Sequence, residues 1–319
     1  MRHAILGAGG VGLALGAALS RGGHDVTLVM RESALARYRG VIDVRSALRG
    51  DHCAPARAVG RLEEPVDVLW VTVKAPALEA ALARTDPAQP PGAVVPLLNG
   101  LDHPRVLRER FGPRQIVGAV RIEAERTGPG RVTWNSLFAE VALAADAGPP
   151  AAPGSGSGSG SGAPDAAAFA GVTAALADAG IGCTAEPDAA SVLWRKLVLL
   201  LPLALATTAA DGPLGVVRRR PELLTLLHRA AHEAAAVAAA EDVAVDEPAL
   251  LHTLGTLPGR TDTSLHRDVA AGVRPTELAA LTAPVLRRAH DRDVPVPAIT
   301  ELARRAAERE RPAGAPAPH

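Results

Sequence analysis

Lysine is almost missing from this chain of 319 residues: of 34 lysines and arginines, only Lys74 and Lys196 are lysine. Arginine holds its proton in proteins, whereas a buried lysine can shift its pKa and exchange one. A lysine kept where arginine has otherwise taken over therefore marks a position where proton transfer is expected. Aromatic residues make up 2% and the formal net charge is +0, so neither a stacking platform nor a basic excess argues for nucleic acid. The two cysteines, Cys53 and Cys183, form neither a metal-ligand spacing nor a disulfide framework. No metal is expected, and a reduced, cytoplasmic setting fits. The longest apolar run, residues 197–210, is short for a bilayer and contains Pro202, so it reads as a buried helix and no membrane partner is expected. Asparagine is also scarce, with only Asn99 and Asn135.

What is present is organised around the first 31 residues. An apolar run at 3–6 meets Gly7-Ala8-Gly9-Gly10-Val11-Gly12, followed by a small-residue helix over 13–20, a glycine stop at 22–23 and a second strand over 25–30. In G-x-G-x-x-G the first glycine permits the turn, the second lets a pyrophosphate approach the backbone, and the third lets helix and strand pack closely. The phosphates then rest on the helix N-terminus, which favours negative charge. The cofactor-binding set is Gly7, Gly9, Gly10, Val11 and Gly12. The residue ending the second strand selects the nucleotide, an acid for the ribose hydroxyl of NAD and an arginine for the 2′-phosphate of NADP. Arg31 stands first in line there and favours NADP(H), and a shift of one residue would place Glu32 instead. A secretory leader at the N-terminus would discard every fingerprint glycine and is set aside on that placement.

Residues 41–60 suggest a third strand or a hairpin. Residues 66–73 form a buried strand with Lys74 at its carboxyl end, and residues 93–98 another ending in Asn99-Gly100. Ligands of open α/β sheets bind beyond such ends. Strands follow at 115–122, in two pieces over 131–145 and at 181–185, with helices over 77–84 and 166–179. The strict Gly-Ser alternation of 154–162 cannot bury apolar surface and carries no chemistry. From residue 188 the pattern is helical, over 189–208, 221–240, 247–254, 264–271, 276–291 and 298–310. The fold class is thus an α/β Rossmann-type N-terminal domain, 1–187, plus an all-α C-terminal domain, 188–319, for substrate and dimerisation. The alanine-rich face of 221–240 serves either its own core, the preferred reading, or a homodimer contact.

The glycine fingerprint, Arg31, Val73-Lys74, Asn99-Gly100, Gly128-Pro129-Gly130, Leu193-Trp194-Arg195-Lys196-Leu197, Ser264 and Thr276-Glu277 together resemble the ketopantoate reductases in order and spacing over nearly the whole chain. The resemblance implies NADPH and a small-molecule carbonyl substrate, a 2-oxo acid reduced to a 2-hydroxy acid. It also implies Lys196 as general acid, Lys74 and Asn99 lining nicotinamide and substrate, and Ser264 and Glu277 binding substrate. Both lysines of the chain fall on the family's active-site lysine positions.

The departures concern the substrate. Four and eight residues after Lys196, where the family presents asparagines, stand Leu200 and Ala204, and later polar positions read Ala279 and Thr282-Ala283. A pocket without those amides should favour a bulkier or more apolar carbonyl compound over ketopantoate, because matched hydrogen bonds in a dry pocket drive such discrimination. Two other readings stay open at this stage: non-redox lysine acid/base chemistry on an NADP(H)-binding fold, such as cyclisation or dehydration, and a binding protein without turnover.

Overall fold

Short apolar runs punctuated by glycine turns build a parallel sheet. A computed structural model describes residues 1–145 and 165–311, and the Gly-Ser stretch 154–162 lies outside the described residues. The chain forms two compact units, one of residues 1–98 and 103–192, the other of 99–102 and 193 onward.

In chain order the first unit contains β1 (Arg2–Leu6), α1 (Gly10–Arg21), β2 (Asp25–Val29), α2 (Glu32–Leu35), β3 (Val41–Arg45), β4 (His52–Pro55), β5 (Arg57–Val59), β6 (Val68–Val71), α3 (Leu78–Leu82), β7 (Ala93–Pro96), α4 (His103–Phe111), β8 (Ile116–Arg121), β9 (Ala124–Gly128), β10 (Arg131–Trp134), β11 (Glu140–Ala145), α5 (Ala166–Asp178) and β12 (Gly182–Ala185). The main sheet has the order β5-β2-β1-β6-β7 and is parallel throughout, with His3 opposite Val26 and Ile5 opposite Trp70. A parallel bridge between Val94 and Gln115 carries it on to a second group, β12-β11-β8. Ala4, Ile5, Leu6 and Trp70 have no exposed surface, as central strands covered on both faces require.

The segment 41–60 supplies both a hairpin and a strand. β3 and β4 pair antiparallel, while β5 joins the main sheet beside β2. The hairpin belongs to a separate sheet, β4-β3-β10-β9, which closes over the other side of α1. Gly16 of that helix shows the fit, since an added Cβ would lie 3.2 Å from Ile42 and 3.4 Å from Leu28.

The second unit is helical. It takes up α6 (Ala189–Ala210) from Leu193 on, then α7 (Leu214–Arg218), α8 (Pro221–Ala240), α9 (Glu247–Thr256), α10 (Ser264–Ala270), α11 (Leu278–Asp291) and α12 (Pro297–Glu310). By length and composition α6 resembles a membrane span, yet every residue from 201 to 210 is buried within the protein, the condition of a core helix. Helix α11 starts two residues later than its periodicity suggests. Thr276 accepts the Leu278 N–H at 3.2 Å and donates to Glu310 Oε1 at 2.6 Å, a local side-chain turn that delays the helix start. That leaves Glu277 ahead of the first turn.

Candidate functional site

The glycines of the first unit divide the labour that their spacing predicts. Gly7 has φ +110°, and a Cβ there would stand 2.6 Å from Val73 Cγ1. Both the turn and the contact exclude a side chain. A Cβ on Gly12 would meet Gly7 O at 2.2 Å and Thr72 Oγ1 at 2.5 Å, so the third glycine lets α1 approach β1. Around Gly9 a Cβ would find nothing within 4 Å. This open space lies before the first turn of α1, which has no side-chain cap, and uncapped N–H groups at a helix start suit an anion. Val11 is half-buried against the core of this unit.

One residue and one reason are not visible in the sequence. Thr72 donates from Oγ1 to Gly7 O at 2.7 Å and pins the turn. Gly10 is glycine for its own reason, because a Cβ would stand 2.1 Å from Ala124 O of β9. A glycine at a variable position of the fingerprint was the available signal. Its cause, a second sheet over the helix, was not visible in the sequence.

Beyond β2, Met30 donates its N–H to Val59 O at 2.9 Å. Arg31 follows, exposed, as the N-cap residue of α2. The Glu32 carboxylate lies against Gly60, where a Cβ would stand 2.0 Å from Oε1. Lys74 is exposed three residues past β6, in extended backbone at φ −70°, ψ 145°, before a short turn over Ala75–Ala77.

In the second unit side chains converge. Lys196, on α6, is half-buried. Burial pushes its amine down to about 8, and the charge of Glu277 opposes that shift. Glu277 is 4% exposed and accepts a hydrogen bond on Oε2 from Asn99 Nδ2 at 3.3 Å. Three sequence-predicted residues, separated widely along the chain, therefore form one cluster: a cation, an anion and an amide donor. The same face of α6 continues with Leu200, half-buried, and with Ala204, which has no exposed surface. Any loss of polarity a ligand would sense thus falls on Leu200. Ser264 opens α10, half-buried, and among the described residues makes no hydrogen bond to the cluster. Its neighbour Thr263 caps that helix and lies 3.0 Å, Oγ1 to Oγ1, from Thr207.

Asn99 sits in a four-residue segment, 99–102, that groups with the helical unit. Gly100 has φ +99°, and a Cβ there would stand 2.7 Å from Ala280 O of α11. Asp102 meets Arg287 at 2.9 and 2.8 Å and Arg288 at 3.3 Å. Among the described residues no group of three or more His, Cys, Asp or Glu side chains is arranged to hold a metal ion.

The family profile described as "Ketopantoate reductase PanE/ApbA" matches residues 3–146, and that described as "Ketopantoate reductase PanE/ApbA C terminal" matches residues 188–310. The 2-dehydropantoate 2-reductase of Halobacterium salinarum is 31% identical over 314 residues, covering 95% of this chain and 97% of that protein. The chain belongs to the ketopantoate reductase family. As a family member it is an oxidoreductase acting on a carbonyl or CH–OH group. Among solved structures, 2-dehydropantoate 2-reductase from Geobacter metallireducens GS-15 superposes with a TM-score of 0.80 at 25% identity, covering 97% of this chain and 99% of that one. D-mandelate dehydrogenase with NADH and anilino(oxo)acetate gives 0.81 at 20% identity, with 97% and 98% covered, and shows the same fold. The Rossmann-type unit and the helical unit are thus the architecture of ketopantoate reductases.

Proposed function

We propose that this chain is an NADPH-dependent reductase of a 2-oxo acid bearing an apolar substituent, with Lys196 as general acid. The observation that carries this reading is the half-buried Lys196 amine beside the buried Glu277 carboxylate, which Asn99 in turn holds. The fit to the nucleotide rests on the first unit. The space at Gly9 and the uncapped first turn of α1 accommodate a pyrophosphate, with backbone N–H groups of Gly10, Val11 and Gly12 available to it. Arg31 is exposed and can take a 2′-phosphate, while the Glu32 carboxylate lies against Gly60. Lys74 and Asn99 are assigned to the nicotinamide end.

Reduced nicotinamide, when bound, supplies the hydride for the carbonyl carbon. The chain's own task is the oxygen, which gains negative charge as that carbon is reduced. Lys196 offers a positive charge and a proton, and the proton passes from Nζ to the developing alkoxide, leaving the neutral amine and the 2-hydroxy acid. With a pKa of about 8 the amine is protonated at neutral pH and a better donor than an ordinary lysine. Glu277 keeps the amine from falling further, so that burial does not discharge it. Ser264 and Glu277 are assigned to substrate binding. Leu200 takes the place of an amide and favours an apolar substituent over a hydroxylated one.

The test is oxidation of NADPH and of NADH over a panel of 2-oxo acids that includes ketopantoate, branched aliphatic members and an aryl member. Turnover with NADPH, fastest on apolar members and lost in Lys196→Ala, is the expected result. Tight NADPH binding with no oxidation over the whole panel would overturn it, and a change in substrate mass without cofactor oxidation would replace it with non-redox chemistry.

A further inference from the structure

We infer that Asp102 is a positioning residue for this reaction: it clamps the segment 99–102 to α11 through Arg287 and Arg288, and so fixes Asn99 against Glu277. The inference rests on the functional reading above and adds to it a component outside the side chains that meet substrate.

Four residues after a strand have little means of holding a shape by themselves. The segment 99–102 has no regular structure, and a short loop fixes its amide donor only if something holds both ends. At one end the hydrogen bond from Asn99 to Glu277 is long, at 3.3 Å, and does not orient the amide unaided. In the middle Gly100 has a positive φ, and a side chain there would collide with Ala280 O of α11, so the fit requires glycine but does not hold the segment. The other end supplies the hold. Asp102 receives two contacts from one Arg287 nitrogen, at 2.9 and 2.8 Å, and a third from Arg288 at 3.3 Å. Arg288 also meets Glu241 at 3.5 Å, which limits its freedom to turn away from Asp102.

The spacing along α11 makes the link mechanical. Glu277 stands just before its first turn, Ala280 in that turn, and Arg287 and Arg288 two turns further on, beyond Pro284, so a single helix touches the segment at three points. An isolated surface pair contributes little to stability, and the side chains of Arg287 and Asp102 are 53% and 43% exposed. The consequence expected is therefore in the position of Asn99, where a displacement of an ångström acts on rate, rather than in global unfolding. Burial raises the Asp102 carboxyl and the two arginines outweigh it, holding the group below the usual carboxylate range, so the clamp stays charged at neutral pH.

The experiment compares Asp102→Ala, Asp102→Glu, Arg287→Ala and the Asp102→Ala/Arg287→Ala double variant by steady-state kinetics, by NADPH titration and by hydrogen exchange over 99–102. Expected for Asp102→Ala is a loss of roughly ten- to a hundredfold in kcat/KM for the 2-oxo acid, with a much smaller change in NADPH affinity, because Asn99 is assigned only to the nicotinamide end and the phosphates to the first unit. Asp102→Glu restores most of the loss, and the double variant is no worse than either single one. Salt near 1 M lowers kcat/KM more in wild type than in Asp102→Ala, because in wild type the contact is screened as well as the charges that meet the ligands. Exchange at 99–102 speeds up in Asp102→Ala and is slow again in Asp102→Glu. Unchanged kcat/KM, additive losses at 102 and 287, or unchanged exchange would each overturn the inference. Exchange needs no substrate, so it decides the clamp even if wild type fails to oxidise NADPH, an outcome that would fall on the functional reading alone.

Discussion

Gly7, Gly10 and Gly12 of the first unit leave no room for a methyl group, whereas in the second unit Lys196, Glu277 and Asn99 act through the side chains they carry. One half is built by subtraction: backbone must meet backbone, and open space is left over at Gly9. The other is built by convergence of a helix, a helix start and a loop. Subtraction is local in the sequence and tolerates no bulk. Convergence is long-range, and it tolerates bulk but no change of charge. The two halves should therefore fail differently, one by unfolding and losing nucleotide, the other by losing chemistry while staying folded.

Lys196 should show that contrast most sharply. Replacing it with alanine removes the acid, and kcat should fall by about two to four orders of magnitude with NADPH binding retained. In wild type kcat/KM for reduction should decline as pH rises through about 8, where the amine loses its proton. Stability should move the other way. The unfolded lysine titrates near the ordinary value of 10.5 and the folded one near 8, so the unfolded state binds more protons between those values and stability rises with pH across that window. Lys196→Met, which keeps the stem and drops the charge, should be the more stable protein at pH 7 by about 2 kcal/mol, measured by urea unfolding. A methionine variant that is both inactive and less stable would mean that the amine is held by its surroundings rather than strained by them.

Gly12→Ala should fail by structure, since the carbonyl 2.2 Å from the new methyl belongs to the Gly7 backbone and cannot swing aside. The cost should be about 3 kcal/mol, at the upper end for overpacking, read as a lowered melting temperature. Gly9→Ala is the control. Its methyl enters open space, so the fold should hold while NADPH affinity drops by about tenfold, or 1.4 kcal/mol. Full NADPH affinity in a stable Gly9→Ala would place the pyrophosphate elsewhere.

The helical unit also holds structural carboxylates to set against Glu277. Glu233 on α8, 7% exposed, accepts the N–H groups of Ala298 and Ile299 at 2.9 and 2.8 Å, capping the start of α12 from outside. Such charge-assisted bonds at a helix N-terminus are strong. Glu233→Gln turns one acceptor into a donor facing an N–H, and should cost about 2 kcal/mol without altering kcat in the protein that remains folded.

How far all this was legible follows from the same division. The glycine turn, the strands of the main sheet and the limits of Pro221–Ala240 are visible in sequence because periodicity and turn residues are local signals. The sheet β4-β3-β10-β9 is not, because it joins Asp43 to Arg131 and nothing in either segment names its partner. Lys196 and Lys74 stood out through the rarity of lysine. Glu277 was found only by likeness to a family, since a glutamate before a helix ordinarily reads as a solvated residue. Glu233 and Asp102 left no trace, as each acts on a helix far from it in sequence, and a carboxylate among 34 acidic residues has no mark of its own.

The smallest effect tests whether the first unit, like the second, contains a base with a displaced pKa. His3, 1% exposed, accepts the Trp70 indole N–H on Nδ1 at 3.1 Å. Indole only donates, so that nitrogen must keep its lone pair, and its protonation would set two donors against each other. Burial pushes the ring down to about 4, with the neighbouring His24 ring adding to the effect. The unfolded histidine titrates near 6.5, so between 6.5 and 4 the unfolded state binds more protons and stability is lost on acidification. Lowering the pH from 7 to 5 should cost about 2 kcal/mol in urea unfolding, and His3→Gln should remove most of that slope. The two slopes have the same sign: His3 loses stability towards acid and Lys196 regains it only above about 8, so across the neutral range the imidazole stays neutral while the charged amine keeps its full cost. A pH slope that survives His3→Gln would assign the acid sensitivity to other groups and leave the displaced base a property of the helical unit.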